Sequence, residues 1–135
     1  MTRYLLDTNA ITDLIRHPNG AIARRIAEVG QAEVCTSIIV AAEVRYGAAK
    51  RGSPQLTARC EAALEALEVA PFAAPADAVY GRVRSSLETA GQLIGANDML
   101  IAAHALALGH TVVTDNEREF GRVVDLPIEN WLRAR

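Results

Sequence analysis

The feature that most constrains the fold is a series of short apolar segments that alternate with segments of helical periodicity. We predict strands over residues 3–7, 33–36, 69–72 and 111–114, with a last extended piece near residues 127–129. Short apolar strands that alternate with helices are typical of a parallel sheet covered by helices on both faces. The sequence therefore predicts the α/β class, as a three-layer α/β/α sandwich around a central, mainly parallel sheet.

Helical periodicity fills the segments between these strands. We predict helices over residues 10–16, 21–29, 38–51, 55–67, 75–90 and 99–108, with a helical turn over residues 117–120. Breaks rich in glycine and proline separate several of them, at residues 17–20 and 52–54. The helix after Asp98 is apolar nearly all round and is expected to lie centrally. Asn97 and Asp98 are expected to cap it, and Trp131 is expected to pack the C-terminal segment down.

Length and composition limit the class of protein. A chain of 135 residues, half of them hydrophobic, suits one domain over residues 1–135. No apolar run is long enough to span a bilayer, and no secretory signal precedes the first strand. Cys35 and Cys60 form no CxxC motif, so we expect a reduced, cytoplasmic protein without a membrane anchor.

Four carboxylates stand at or near the expected carboxyl edge of the sheet. Asp7 and Asp115 end two of the predicted strands, and carboxyl ends of parallel strands share one edge of a sheet. Glu43 lies two turns into the helix that follows Thr36 and Ser37, within an apolar stretch. Asp98 opens the most apolar helix.

Each acid has a simpler explanation when it is taken singly. Asp7 and Asp98 are at positions where a side chain commonly caps a helix. Glu43 could be partly exposed, or it could pair with a cation of the same helix, Arg45 or Lys50. Together the four are harder to explain in this way, because two charges 4 Å apart cost about 4 kcal/mol at an effective dielectric of 20.

Such a cluster requires protons or cations to offset its charge. Oxygen ligands without histidine or cysteine favour hard cations such as Mg²⁺ or Mn²⁺. Hard metals on carboxylates are suited to phosphoryl chemistry, since they lower the pKa of a bound water and stabilise the leaving oxygen. The three histidines offer no rival site, and His104, on an apolar helix, is interpreted as a satisfied core residue.

Four blocks of sequence, in order and together, carry a resemblance to a known family. They are Leu5-Leu6-Asp7-Thr8-Asn9; Ser37-Ile38 with Glu43-Val44 and Gly47; Ile94-Gly95 with Asp98-Met99-Leu100-Ile101-Ala102-Ala103; and Val113-Thr114-Asp115-Asn116 with Glu119-Phe120. With these blocks the chain resembles the PIN-domain ribonucleases of the VapC toxin type, over nearly its whole length.

The resemblance implies a set of site residues. Asp7 and Asp98 would be the main metal ligands, with Glu43 completing the acidic pocket, and either Asp115 or Glu119 would be the fourth acid. Polar neighbours would orient the ligands or touch phosphate. These are Thr8, Asn9, Ser37, Thr114 and Asn116, which could equally serve as cap and turn residues.

The resemblance also implies an activity and partners. Such toxins are Mg²⁺-dependent endoribonucleases, several of which cut transfer RNA. They usually form homodimers and are silenced by a VapB-type antitoxin that blocks the acidic pocket.

An RNA enzyme of net charge −2 needs a locally positive surface, because phosphate contacts dominate affinity for nucleic acids. Candidate contacts are Arg45, Lys50 and Arg51 beside the Glu43 helix, Arg82 and Arg84, and Arg118 and Arg122 near the last acidic block. Each could equally belong to a solvated helix face.

Two other classes of function fit part of the pattern. A phosphatase of the haloacid-dehalogenase kind would also place an aspartate at the sheet edge, but its second aspartate is replaced here by Asn9, and Lys50 is poorly placed for its lysine. A receiver domain fails for similar reasons. An acidic binding module without catalysis is the remaining alternative.

Overall fold

The structure, a computed structural model, describes residues 2–133. Its strands are β1 (Tyr4–Leu6), β2 (Val34–Ser37), β3 (Glu68–Ala70), β4 (Thr111–Val113) and β5 (Ile128–Glu129). They form a single sheet in the order β3-β2-β1-β4-β5, and every neighbouring pair is parallel. This confirms the predicted class and the central parallel sheet.

The predicted helices are confirmed, with small shifts at their ends. They are α1 (Thr8–Arg16), α2 (Ala21–Val29), α3 (Ile38–Arg51), α4 (Pro54–Glu65), α5 (Ala76–Thr89), α6 (Ala96–Leu108) and α7 (Glu117–Phe120). Glycines in the left-handed region end two of the long ones, Gly52 after α3 and Gly109 after α6, with φ of 67° and 71°. None of the helices within the described residues is long and apolar enough to cross a bilayer.

The start of α6 corrects one prediction. Its N-cap is Gly95, whose carbonyl accepts from Met99 N at 2.9 Å, so the first helical hydrogen bond begins three residues before Asp98. The expectation that Asn97 and Asp98 cap this helix is therefore wrong. Asp98 lies within the first turn instead, where its side chain is free to face a neighbouring element.

Helices cover both faces of the sheet. Leu5 and Leu6 point to opposite faces of β1, and neither has any exposed surface. All three residues of β4 are buried as well. Burial on both faces requires a layer on each side, as in the predicted sandwich. On the periphery, α1 packs against α2, α3 and α4, while α6 packs against α5, α7 and α3.

The strand order places a crevice at the carboxyl end of β1. The chain runs from β1 to β2 on one side, whereas β4 and β5 lie on the other side of β1. Ligands of open α/β sheets bind at such a switch point. Asp7, immediately after β1, donates its backbone N–H to Val113 O at 3.1 Å, which holds it between the two strand ends.

The C-terminal segment packs on the first strand, as predicted. The Trp131 ring is 6% exposed and meets the Tyr4 ring edge-on, with centroids 5.1 Å apart. The Arg25 guanidinium lies over the same indole at 5.2 Å.

Candidate active site

Asp7 is both a helix cap and a buried acid. Its Oδ1 accepts from Ala10 N at 2.9 Å at the start of α1, and the Thr114 hydroxyl donates to the same carboxylate. Burial, with smaller contributions from the nearby charges of Asp115 and Glu43, raises the pKa of Asp7 to about 6 although these two hydrogen bonds lower it. The capping explanation and the acidic-cluster explanation therefore hold together at this residue.

Asp98 and Glu119 form the second acidic pair. Burial raises the pKa of Asp98 to about 7, and the charge of Glu119 and a hydrogen bond with it act in the same direction. Gly95 N donates to Glu119 Oε1 at 2.8 Å, and the Asn116 amide donates to Oε2. These donors lower the pKa of Glu119, so the shared proton resides on Asp98. Gly95 lies against both acids, since a Cβ built on it would be 3.6 Å from Asp98 Oδ2.

Glu43 joins the cluster from α3. Thr8 Oγ1 donates to Glu43 Oε1 at 2.6 Å, and the charge of Glu43 raises the pKa of both Asp7 and Asp98. Within residues 2–133 Glu43 makes no ion pair. The alternative that it pairs with Arg45 is therefore wrong, because that guanidinium instead binds Glu61 of α4.

Asp115 lies at the rim of the crevice. It is exposed, and Asn9 Nδ2 donates to its Oδ1 at 2.9 Å. The two candidates for the fourth acid thus have different neighbours: Asp115 acts on Asp7 through its charge, whereas Glu119 bonds with Asp98.

The polar neighbours divide into two groups. Thr8, Asn9, Thr114 and Asn116 each contact one of the acids. Ser37 differs: its Oγ caps α3 by accepting from Ile39 N at 3.0 Å and lies 2.7 Å from His104 Nδ1.

His104 is a buried core residue, as predicted, but the prediction that it is satisfied holds only for Nδ1, because its buried Nε2 has no hydrogen-bond partner within the described residues. It is 1% exposed, and its ring meets Phe72 edge-on. Its pairing with Ser37 was not foreseen, because the two residues lie 67 positions apart in the sequence.

The donor set fits a hard cation. Among the described residues no three histidine, cysteine or acidic side chains form a ready-made metal group. The acids nevertheless raise one another's pKa, and a proton shared by Asp98 and Glu119 offsets part of their charge. A cation that binds Asp7 and Asp98 would replace that proton, and their oxygens are the ligands that Mg²⁺ or Mn²⁺ prefers.

The predicted RNA-binding cations do not form one surface. Arg45 and Arg84 are held by Glu61 and Glu88, at 2.8 and 2.9 Å, so acids offset their charge. Arg122 donates to Leu93 O at 3.1 Å.

The remaining four predicted cations are exposed: Lys50, Arg51, Arg82 and Arg118. Arg82 lines a cavity of about 340 Å³ beside α5, away from the acids. Arg51 lines a larger cavity of about 470 Å³ between α1, α3 and α4, with two arginines that sequence reasoning missed, Arg16 and Arg59. No local pattern in the sequence indicates this grouping, because the three come from three helices.

Comparison with known proteins gives matches over nearly the whole chain. The sequence profile of the PIN domain matches residues 4–126. The chain is 38% identical over 130 residues to the ribonuclease VapC2 of Rickettsia felis, which covers 95% of this chain and 97% of the relative. It is 33% identical over 132 residues to the tRNA(fMet)-specific endonuclease VapC of Shigella flexneri, covering 97% and 99%.

A similar chain has been solved in a complex. It is found in the crystal structure of VapBC2 from Rickettsia felis bound to a DNA fragment from their promoter. The two chains superpose with a TM-score of 0.87 at 35% identity, covering 96% of this chain and 99% of the other.

Proposed function

The chain belongs to the PIN-domain family, in its VapC branch, and we propose that it is a metal-dependent endoribonuclease that acts as the toxin of a toxin–antitoxin pair. One structural observation carries the proposal. At the switch point of the sheet the charge of Asp7 raises the pKa of Asp98, and the charge of Glu43 raises the pKa of both, with Glu119 bonded to Asp98. Two relatives that align with this chain over nearly their full length are named a ribonuclease and a tRNA(fMet)-specific endonuclease.

Each residue of the pocket would have a separate role. Asp7 and Asp98 would hold Mg²⁺ or Mn²⁺, and Glu119 would support Asp98. Bound in this way, the ion would lower the pKa of a water and stabilise the leaving oxygen of the phosphodiester. Glu43, oriented by Thr8, would accept the proton of the attacking water. Gly95 N and the Asn116 amide would hold Glu119 in place once the Asp98 proton has left.

A cleavage assay tests this function. We expect purified protein with Mg²⁺ to cut RNA at discrete positions, and a chelator to stop the cutting. Asp7→Asn and Asp98→Asn should abolish it, whereas Asp77→Asn, which removes an exposed acid at the start of α5, should not. Cutting that persists in the chelator, or in both site variants, would show that the proposal is wrong.

The same assay separates the alternatives. A binding module would bind without cutting RNA, and a phosphatase would release phosphate from small monoesters. Asn9, at the position where a phosphatase of the haloacid-dehalogenase kind needs its second aspartate, donates to Asp115.

We also propose that a VapB-type antitoxin encoded beside this chain covers the acidic pocket. The support is the similar chain of Rickettsia felis, which was crystallised as VapBC2. Homodimer formation and a cytoplasmic location stay predictions. Co-expression tests the partner: the antitoxin should co-purify with the chain and suppress RNA cleavage, and free toxin in its presence would contradict the proposal.

A further inference from the structure

A groove between α1, α3 and α4 adjoins the acidic pocket. Thr8 and Glu43, which belong to the pocket, also line one end of this α1/α3/α4 groove, so the groove borders the pocket. Three buried side chains, Ile15, Val44 and Cys60, contribute to its apolar wall. A chain that enters the pocket can therefore continue along this groove.

Three arginines border the groove, each from a different helix. Arg16 is the last residue of α1, Arg51 is the last residue of α3, and Arg59 lies in the middle of α4. All three are exposed, and within residues 2–133 none makes an ion pair or a side-chain hydrogen bond. Several other arginines, such as Arg25 and Arg45, are held by acids.

A role in helix stability does not account for the group. Cations at a helix C-terminus interact favourably with the helix dipole, and this interaction would explain the positions of Arg16 and Arg51. Arg59 is not at a helix end and has no acidic partner in the described part of the chain. Its presence beside the other two gives the groove an excess of positive charge, because Glu43, at the end that meets the pocket, is the one acid among its lining residues.

We propose that the α1/α3/α4 groove holds the RNA strand on one side of the cleaved bond, with Arg16, Arg51 and Arg59 bound to its phosphates. The proposal rests on the proposed ribonuclease function. Four carboxylates repel a polyanion, so a substrate that reaches them requires compensating cations close by. Arginine suits this role, because its planar guanidinium binds phosphate through two parallel hydrogen bonds. The apolar wall would face sugars and bases.

Gly47 keeps the groove open from the α3 side. It lines the groove, and a Cβ built on it would meet no atom within 4 Å. A longer side chain can therefore enter the groove without disturbing the core. The variant Gly47→Gln adds volume but no charge, and it replaces a poor helix former by a good one.

Binding of RNA without catalysis gives the direct test. A short fluorescein-labelled single-stranded RNA is titrated with protein in chelator, and anisotropy is followed at several salt concentrations. We expect the triple variant Arg16→Ala/Arg51→Ala/Arg59→Ala to bind more weakly, with the slope of log affinity against log salt reduced by about 2, since each phosphate contact contributes about 0.7. Gly47→Gln should also weaken binding, because it fills part of the groove, although all three arginines are still present.

Arg24→Ala is the control, because Arg24 of α2 is exposed, makes no ion pair within residues 2–133 and lines neither cavity. It should bind as wild type does. If the triple variant and Gly47→Gln also bind as wild type, the proposal is wrong. It is also wrong if Arg24→Ala loses as much affinity per charge removed as the triple variant does, since the effect would then be one of net charge.

Three further results separate this proposal from the others. In cleavage assays the triple variant should raise KM for RNA while kcat at saturating RNA stays near wild type. A wild-type protein that binds RNA through these arginines but never cuts it would overturn the ribonuclease function and leave the groove assignment standing. A triple variant that binds RNA normally but no longer co-purifies with the antitoxin would identify the groove as a protein-binding site and overturn the proposal.

Discussion

Asp98 and Glu119 lie side by side against Gly95, and their interaction raises the pKa of Asp98 and lowers that of Glu119, which favours the proton on Asp98. This pairing joins the first turn of α6 to the short helix α7. Because the pair holds one proton, two neighbouring carboxylates can coexist before any cation binds. The proton must leave when both oxygens are needed as metal ligands, so metal binding and pH should be linked.

Asp7→Asn should stabilise the metal-free protein at high pH. The pKa of Asp7 is raised by burial from 3.8 to about 6, so its contribution to stability is complete below the lower value and is lost as pH rises through the higher one. A rise of this size corresponds to at most about 3 kcal/mol. The variant keeps an oxygen to cap Ala10 N but cannot ionise.

Urea unfolding in chelator, at about pH 4 and about pH 8, measures this effect. The gain should be largest at the higher pH and small at the lower one. If the wild type is more stable than Asp7→Asn at the higher pH, burial does not raise the pKa of Asp7.

Affinity for Mg²⁺ should increase with pH across the neutral range. The pKa values of Asp7 and Asp98 are raised to about 6 and about 7, so both become fully ionised only above neutrality. Titration calorimetry in two buffers of different ionisation enthalpy should detect proton release at about pH 6 and little at about pH 8. The absence of pH dependence would rule out these two acids as the ligands.

Glu119 and Asp115 should differ in their effect on catalysis. Glu119→Gln removes the charge beside Asp98 and should lower cleavage by about 10- to 100-fold, the range for residues that position metal ligands. Asp115→Asn changes an exposed acid held by Asn9 and should have the smaller effect. Single-turnover rates at saturating Mg²⁺ compare them, and the reverse order would identify Asp115 as the fourth acid.

Thr8 should act through Glu43. Thr8→Val keeps the shape of the side chain but removes the donor to Glu43 Oε1 at 2.6 Å, and it should reduce kcat by about 10-fold or more. Thr8→Ser retains a hydroxyl and should restore most of the rate. The pH profile of kcat should shift in Thr8→Val only; equal rates for the two variants would mean that the hydrogen bond has no catalytic role.

Ser37 should contribute to stability and not to catalysis. Ser37→Ala removes the cap of α3 and leaves His104 Nδ1 without its partner, which together should cost about 1–3 kcal/mol of unfolding free energy. Cleavage per folded molecule should be unchanged. A loss of kcat at full folding would instead support the predicted role of Ser37 in orienting ligands or phosphate.

Most of the fold could be predicted from local sequence. Apolar runs marked the strands, helical periodicity marked the helices, and glycines such as Gly109 ended them. These signals are local, because periodicity and capping depend on residues a few positions apart. Even here the prediction that Asp98 caps α6 is wrong, since a sequence shows which residues can cap a helix and not where the first helical hydrogen bond begins.

The sequence by itself determined which acids reach the carboxyl edge of the sheet, because each follows a strand or lies in a helix that starts there. Only the tertiary structure decided which partner each acid has. Thr8 meets Glu43 across 35 positions, and Asn9 meets Asp115 across 106. The tertiary structure also decided that Glu61 neutralises Arg45, whereas Arg59 faces the groove. Such contacts depend on how whole helices dock, and docking is set by packing across the core, which no local pattern of residues encodes.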